Sequence, residues 1–212
     1  MPNQTNLAPK LHGLYAITPE TSDTELLLSK TEAALRGGIH LLQYRAKTLS
    51  AAQRKQQATL LLKLCGDFNC PLIINDDLNL AAEIGAHGVH LGQSDKQPEF
   101  ARALLGPEAL IGITCHDSLD LAKEAQQAGA NYLAFGSFYP SASKPLAKPA
   151  PLSILSQAKQ ACDIPVVAIG GITTHNAKAL IDAGADMLAV INDLFTSDDI
   201  QAQCSRFQAL FQ

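Results

Sequence analysis

The sequence predicts an α/β protein built as a single (β/α)8 TIM barrel. Short apolar runs rich in Val, Ile and Leu recur along all 212 residues. Amphipathic segments fall between them, and several runs end abruptly in charged, hydroxyl or glycine residues. Strands whose C-terminal ends all carry polar chemistry are what such a barrel enzyme looks like in one dimension, because its active site is assembled from the loops that follow the strands.

Strands are expected at Leu14–Thr18, His40–Arg45, Pro71–Asn75, Gly88–Leu91, Leu110–Thr114, Tyr132–Gly136, Pro165–Gly170 and Met187–Ile191. Their apolar residues are nearly continuous rather than alternating, which suits parallel strands covered on both faces. Helical segments are expected at Thr24–Arg36, opened by Ser22 or Asp23 as N-cap, at Ala51–Leu64, ending before Gly66, at Ser118–Ala128 and at Asn176–Ala183. A glycine follows the helical segment and precedes the next strand at Gly37-Gly38, Gly85-Ala86, Gly129-Ala130 and Gly184-Ala185, which is the chemistry of a short αβ loop. Eight such units favour a closed barrel over an open doubly wound sheet, which has about five or six strands. The stretch from Ser137 to Pro151 holds Pro140, Pro145, Pro149 and Pro151 and reads as one long irregular loop, a place where function concentrates. Residues 1–212 read as one domain, with residues 1–12 a flexible N-terminal tail.

The hydrophobic fraction of 47% is too high for a disordered chain. No apolar run is long enough to span a bilayer. Met1 to Lys10 is polar and carries no apolar signal segment, so the expected location is the cytoplasm. The net charge of -4 and the lack of a basic stripe exclude a nucleic-acid partner, and neither feature suggests a membrane partner. Small-molecule ligands are the expected partners, and a homo-oligomer is compatible with the sequence. Cys65, Cys70, Cys115, Cys162 and Cys204 are odd in number and irregular in spacing, which argues against disulfides and a structural zinc site. Cys115 reads as a small buried residue rather than a nucleophile.

Against an acidic background, cations gathered at one strand end carry weight. Gln43, Arg45 and Lys47 alternate by two, so a strand would turn all three to one side. Arg supplies a planar fork and Lys a point charge, a combination suited to phosphate oxygens. Asn75-Asp76-Asp77 follows the third strand and Asp95 follows the fourth. Neighbouring strand ends lie close in a barrel, so Asp76 and Asp95 are candidate ligands for Mg2+ held by carboxylates plus substrate phosphate. Asp77 reads as the cap of the next helix. Ser141, Ser143 and Lys144 lie in the long loop and suit a lid over a phosphorylated ligand. Gly170-Gly171 ends the seventh strand and Ile191-Asn192 ends the eighth, the usual position of a barrel's phosphate site. His90 reads as a hydrogen-bonded core group, and His116 as a pocket or helix-entry residue. No Ser-His-Asp or Cys-His arrangement stands out.

Taken together these motifs resemble the thiamine phosphate synthase family. The resemblance runs from Leu14-Tyr15-Ala16-Ile17-Thr18 to Leu188-Ala189-Val190-Ile191. Its specific parts are Gln43-x-Arg45-x-Lys47, Asn75-Asp76-Asp77, Gly88 to Asp95, Pro140-Ser141-x-Ser143-Lys144 and Ala168 to Ile172. The resemblance implies that Gln43, Arg45, Lys47 and Asn75 bind a pyrimidine diphosphate, that Asp76 and Asp95 hold Mg2+, and that Lys144 touches the diphosphate leaving group. It puts Thr114, where the family commonly has Ser, beside the pyrimidine. It assigns the thiazole phosphate to Ser141, Ser143, Gly171, Ile191 and Asn192. Ser141 and Ser143 stand where Thr is common, and Asn192 where Ser is common.

The implied activity is a transferase that couples hydroxymethylpyrimidine diphosphate to hydroxyethylthiazole phosphate, releasing diphosphate. The implied route is dissociative, with Arg45, Lys47, Lys144 and Mg2+ stabilising the departing charge and Thr114 beside the ring. A thiazole tautomerase lacks the diphosphate machinery that Arg45, Lys47, Asp76 and Asp95 supply. A phosphosugar isomerase or epimerase would use the phosphate site but not the paired acids. A non-catalytic binder of thiamine precursors would have little need of Lys144 and both acids.

Overall fold

The computed structural model describes residues 11–95, 98–140 and 149–212. Eight parallel strands follow one another around a closed barrel in chain order, and the first strand pairs with both the second and the eighth. The elements are β1 Gly13–Ile17, α1 Thr24–Arg36, β2 Leu41–Tyr44, α2 Ala51–Asp67, β3 Leu72–Asn75, α3 Leu78–Ile84, β4 Gly88–Leu91, α4 Pro98–Leu105, β5 Leu110–His116, α5 Leu119–Gln127, β6 Tyr132–Phe135, α6 Ser153–Ala161, β7 Val166–Ile169, α7 Ala177–Asp182, β8 Met187–Val190, α8 Asn192–Phe195 and α9 Ile200–Ala209.

Two hydrophobic layers explain why the strands are apolar on both faces. Tyr15, Ile17, Leu41, Ile73, Tyr132, Val167 and Met187 form one buried cluster within the barrel. Their strand neighbours Leu14, Ala16, Leu42, Leu72, Ile74, Val166 and Leu188 pack into a larger cluster with helix residues such as Leu27, Leu61, Leu155 and Phe207. Each large apolar side chain fully buried there contributes roughly 1.5–3 kcal/mol. Short polar residues start the helices. Asp23 accepts from the Leu26 amide at 2.9 Å, Asp77 from Leu80 at 3.0 Å and Asp199 from Ala202 at 2.9 Å, while Ser50 and Gln53 form a reciprocal capping box.

Most element ends fall within one residue of the sequence expectation, and three boundaries differ by more. α2 passes through Gly66 and ends at Asp67, because Gly66 lies on an open helix face and the left-handed residue that follows is Asn69 at φ 53°. β5 continues past Thr114 to His116, with a register irregularity between those two residues. At the N-terminus, Leu11 is buried and the His12 ring packs edge-on against Phe211 at 5.1 Å, so packing already involves these two residues. No helix among the described residues is long and apolar enough to cross a membrane.

Candidate active site

The C-terminal ends of the strands surround a cavity of about 850 Å3. Small residues make its room, with Ala134 on β6 and Ala189 on β8 in the wall. Of the sequence-predicted residues, Gln43, Arg45, Lys47, Asn75, Asp76, Asp95, Thr114, Gly171, Ile191 and Asn192 all line this one cavity. Ser141, Ser143 and Lys144 lie outside the described residues, while Pro140, just before them, is on the cavity wall.

The cationic side begins at β2. Gln43 is inside the strand and buried, whereas Arg45 and Lys47 stand on the turn that leaves it. That turn is tied to the segment after β1. The Arg45 amide donates to Thr18 Oγ1 at 3.0 Å, and the Thr48 amide and hydroxyl both donate to Glu20 at 2.5 and 2.7 Å. These bonds, the Thr48 amide first, hold the Glu20 carboxyl below its usual range. Lys47 Nζ reaches Asp76 Oδ2 at 3.1 Å, with Lys47 exposed and Asp76 half-buried.

The acidic side is carried by β3 and β4. Asp76 adopts a left-handed φ of 59°, and its amide donates to the His90 carbonyl at 2.9 Å, closing the end of the β3–β4 pair. Asp95 Oδ2 accepts from the Gly92 amide at 2.6 Å. Asp77 turns away to cap α3 and meets Arg54 at 3.5 Å, as its capping role requires. Asp76 and Asp95 thus offer two carboxylates on one cavity wall. Among the described residues, no group of three or more His, Cys, Asp and Glu side chains converges. An all-oxygen pair with room for other ligands suits Mg2+, which keeps waters and substrate phosphates, better than a metal needing an all-protein cage.

On the β7 side, the strand is followed by Gly170 at φ 105° and Gly171 at φ 62°. A β-carbon on Gly171 would lie 2.4 Å from the Pro140 carbonyl, so glycine is required both by the turn and by the approach of the loop. Asn176 fixes this turn, accepting from the Thr173 amide at 2.8 Å and donating to the Gly171 carbonyl at 3.0 Å. Ile191 and Asn192 stand where β8 gives way to α8. Asp193, next along, also lines the cavity. Its Oδ2 accepts from Gln203 at 2.7 Å and from the Thr174 amide at 3.3 Å.

At the cavity floor and just behind it lie two residues that sequence reasoning did not select. Tyr15 of β1 and Tyr132 of β6 meet hydroxyl to hydroxyl at 2.8 Å, and both are buried. Burial raises the ionisation of each phenol, so both remain protonated. Gln43 and His90 contact the two phenols, and His90 also meets Thr114 at 2.9 Å. Burial lowers the His90 pKa from 6.5 to about 4, with a smaller opposing pull from Asp76. A tyrosine within a strand run is ordinary sequence, and nothing local marks these two as partners across 117 positions. His116, on the exposed end of β5 at φ 53°, reaches the cavity too. Cys115 is buried and its thiol is pushed up to about 12, which removes it as a nucleophile.

The fold and this pocket together define the class: a (β/α)8-barrel enzyme whose cavity at the C-terminal ends of the strands is lined by cations, carboxylates and a glycine-rich turn. Comparison with known proteins narrows the class to a family. The family described as thiamine monophosphate synthase matches residues 14–194. The thiamine-phosphate synthase of Thioalkalivibrio sulfidiphilus is 51% identical over 209 residues, covering 98% of this chain and 99% of the relative. That of Thiobacillus denitrificans is 53% identical over 199 residues, covering 94% of each. Among solved structures, thiamine phosphate pyrophosphorylase from Pyrococcus furiosus superposes with a TM-score of 0.84 at 31% identity, covering 97% of this chain and 98% of that one. The chain belongs to the thiamine monophosphate synthase family.

Proposed function

We propose that this enzyme couples hydroxymethylpyrimidine diphosphate to hydroxyethylthiazole phosphate, forming thiamine phosphate and diphosphate. The bond between the pyrimidine methylene carbon and the diphosphate oxygen breaks, and its electron pair leaves with the diphosphate. The ring amino group stabilises the resulting cation. The thiazole nitrogen lone pair then forms the new carbon–nitrogen bond. The observation that carries this reading is the composition of one cavity of about 850 Å3. Cations, the Asp76 and Asp95 carboxylates and a glycine-rich turn share it, while the neighbouring Cys115 thiol is buried and the imidazole of His90, one of the two that line it, is held neutral. A dissociative displacement needs neither a protein nucleophile nor a strong base. It needs preorganised positive charge where the leaving group develops its own.

Arg45 and Lys47 supply that charge from the turn after β2, joined by Lys144, which follows Pro140 in the sequence. Gln43 and Asn75 bind the pyrimidine diphosphate beside them, and Thr114 lies against the ring. Gly171, Ile191 and Asn192, with Ser141 and Ser143, hold the thiazole phosphate. Asp76 and Asp95 would hold Mg2+, which when bound neutralises diphosphate charge. The Lys47–Asp76 pair is solvent-accessible, so opening it costs about 1 kcal/mol or less. An arriving diphosphate draws Lys47 away and frees Asp76 for the metal at small expense. The test is diphosphate release from mixtures lacking one component in turn. Release that requires pyrimidine diphosphate, thiazole phosphate and Mg2+ together is expected; equal release without the thiazole would overturn the coupling reaction.

A further inference from the structure

A continuous hydrogen-bonded chain runs through five side chains from five strands, four of which line the cavity while Tyr132 is buried behind them. Gln43 Nε2 lies 2.7 Å from Tyr15 Oη, Tyr15 Oη lies 2.8 Å from Tyr132 Oη, and Tyr132 Oη lies 3.1 Å from His90 Nδ1. His90 Nε2 then lies 2.9 Å from Thr114 Oγ1. The His90 ring also stacks on the Tyr132 ring, with centroids 5.6 Å apart and planes 20° from parallel. Gln43 and Thr114 are the outer ends, and both line the cavity.

The chain has a direction, and the direction follows from donor chemistry. An amide nitrogen can only donate, so Tyr15 accepts from Gln43 and has one proton left to give. That proton goes to Tyr132, and the Tyr132 proton in turn goes to His90 Nδ1. A ring nitrogen that accepts carries no proton, so the imidazole proton sits on Nε2 and is donated to Thr114. Among the described residues the Thr114 hydroxyl makes no other hydrogen bond, and its own proton is left for the cavity. The opposite direction would leave the Tyr15 proton without an acceptor among the described residues, since its partners would be the donating Gln43 amide and the donating Tyr132 hydroxyl, at the cost of an unpaired donor on a buried side chain.

We propose that Tyr15, Tyr132 and His90 are positioning residues that fix the Thr114 hydroxyl as a hydrogen-bond donor toward an acceptor atom of the bound pyrimidine ring. The role of Thr114 beside the ring rests on the proposed function, whereas the direction of the chain does not. None of the three positioning residues needs to touch the reacting atoms. Their work is to settle, before substrate arrives, which end of the Thr114 hydroxyl faces the ligand. Gly112 keeps the arrangement in place by having no side chain: a β-carbon there would fall 1.9 Å from Tyr132 Cζ.

The first test is the His90 tautomer in the ligand-free protein, read from long-range 15N–1H correlations of histidine-labelled enzyme. A bare Nδ1 and a protonated Nε2 are expected. A protonated Nδ1 would overturn the proposal whatever the enzyme's activity. The second test is kinetic. Tyr132→Phe and Thr114→Ala should each raise KM for the pyrimidine diphosphate roughly 10-fold, the equivalent of one hydrogen bond, with kcat changed much less. The double variant should be no worse than Thr114→Ala alone, and Thr114→Ser should restore wild-type KM. Full multiplication of the two single effects would overturn the proposal, because it would mean that Tyr132 acts independently of Thr114. An enzyme with the expected tautomer and no coupling activity would keep the relay and remove the assigned reaction, so the two failures are distinguishable.

Discussion

Lowering the pH from 7 to 5 should destabilise the metal-free protein by about 2 kcal/mol through His90 alone. In the folded barrel, burial pulls the His90 pKa down from 6.5 to about 4. In the unfolded chain it titrates near its ordinary value. Between those two values the unfolded chain holds a proton that the folded chain refuses. Stability from this residue is therefore complete above the unfolded value and falls as the pH drops through the window from 6.5 to about 4. At pH 5 protonation favours the unfolded chain by about 2 kcal/mol, against about 0.2 kcal/mol at pH 7. For a chain of this length that difference lowers Tm by roughly 4–8 °C. The assay is urea unfolding at both pH values, with chelator present, for the wild type and His90→Gln. Burial also depresses the pKa values of His40 and His87, with the same sign, and the comparison between variants subtracts them. The acid-induced loss should shrink by about 2 kcal/mol in His90→Gln. Equal losses in the two proteins would refute the reasoning.

Other consequences are as direct. Gly112→Ala puts a methyl group 1.9 Å from Tyr132 Cζ and should cost about 3 kcal/mol as the ring is forced aside; an unchanged urea midpoint would show that the floor is looser than its geometry. Asp95→Ala should raise the Mg2+ concentration needed for half-maximal turnover, and an unchanged metal titration would remove it as a ligand. Lys144→Ala should lower turnover by roughly 10²-fold or more, the effect of losing one preorganised donor to the leaving group, and near-normal kcat would end its assignment.

The barrel was legible because its signal is local and repeated. Leu41-Leu42, Leu72-Ile73-Ile74 and Val166-Val167-Ala168-Ile169 each sit between polar turns, and each is a strand. The strand ends were legible for the same reason, since the topology of a barrel brings them to the same rim, and the described candidates Gln43, Arg45, Lys47, Asn75, Asp76, Asp95, Thr114, Gly171, Ile191 and Asn192 line a single cavity. Less visible were features that depend on pairs of distant residues. Tyr15 and Tyr132 look like strand aromatics until the closed sheet sets their hydroxyls 2.8 Å apart. His90 could be read as a hydrogen-bonded core group, yet its partners Tyr132 and Thr114 come from strands whose register no local pattern states. The four-residue helix α8 is too short for a 3.6-residue period to show, so Ile191-Asn192-Asp193 reads in the sequence only as the segment after the eighth strand, and its helical start is not visible there.

If one cavity joins the two phosphorylated rings and expels diphosphate, both products must appear together and in equal amounts. The most direct measurement is a product balance on the purified enzyme given pyrimidine diphosphate, thiazole phosphate and Mg2+, with mass spectrometry for the organic product and a separate count of diphosphate. One molecule of thiamine phosphate per molecule of diphosphate is the predicted result. Diphosphate without thiamine phosphate, or neither product at saturating substrates, would contradict the account.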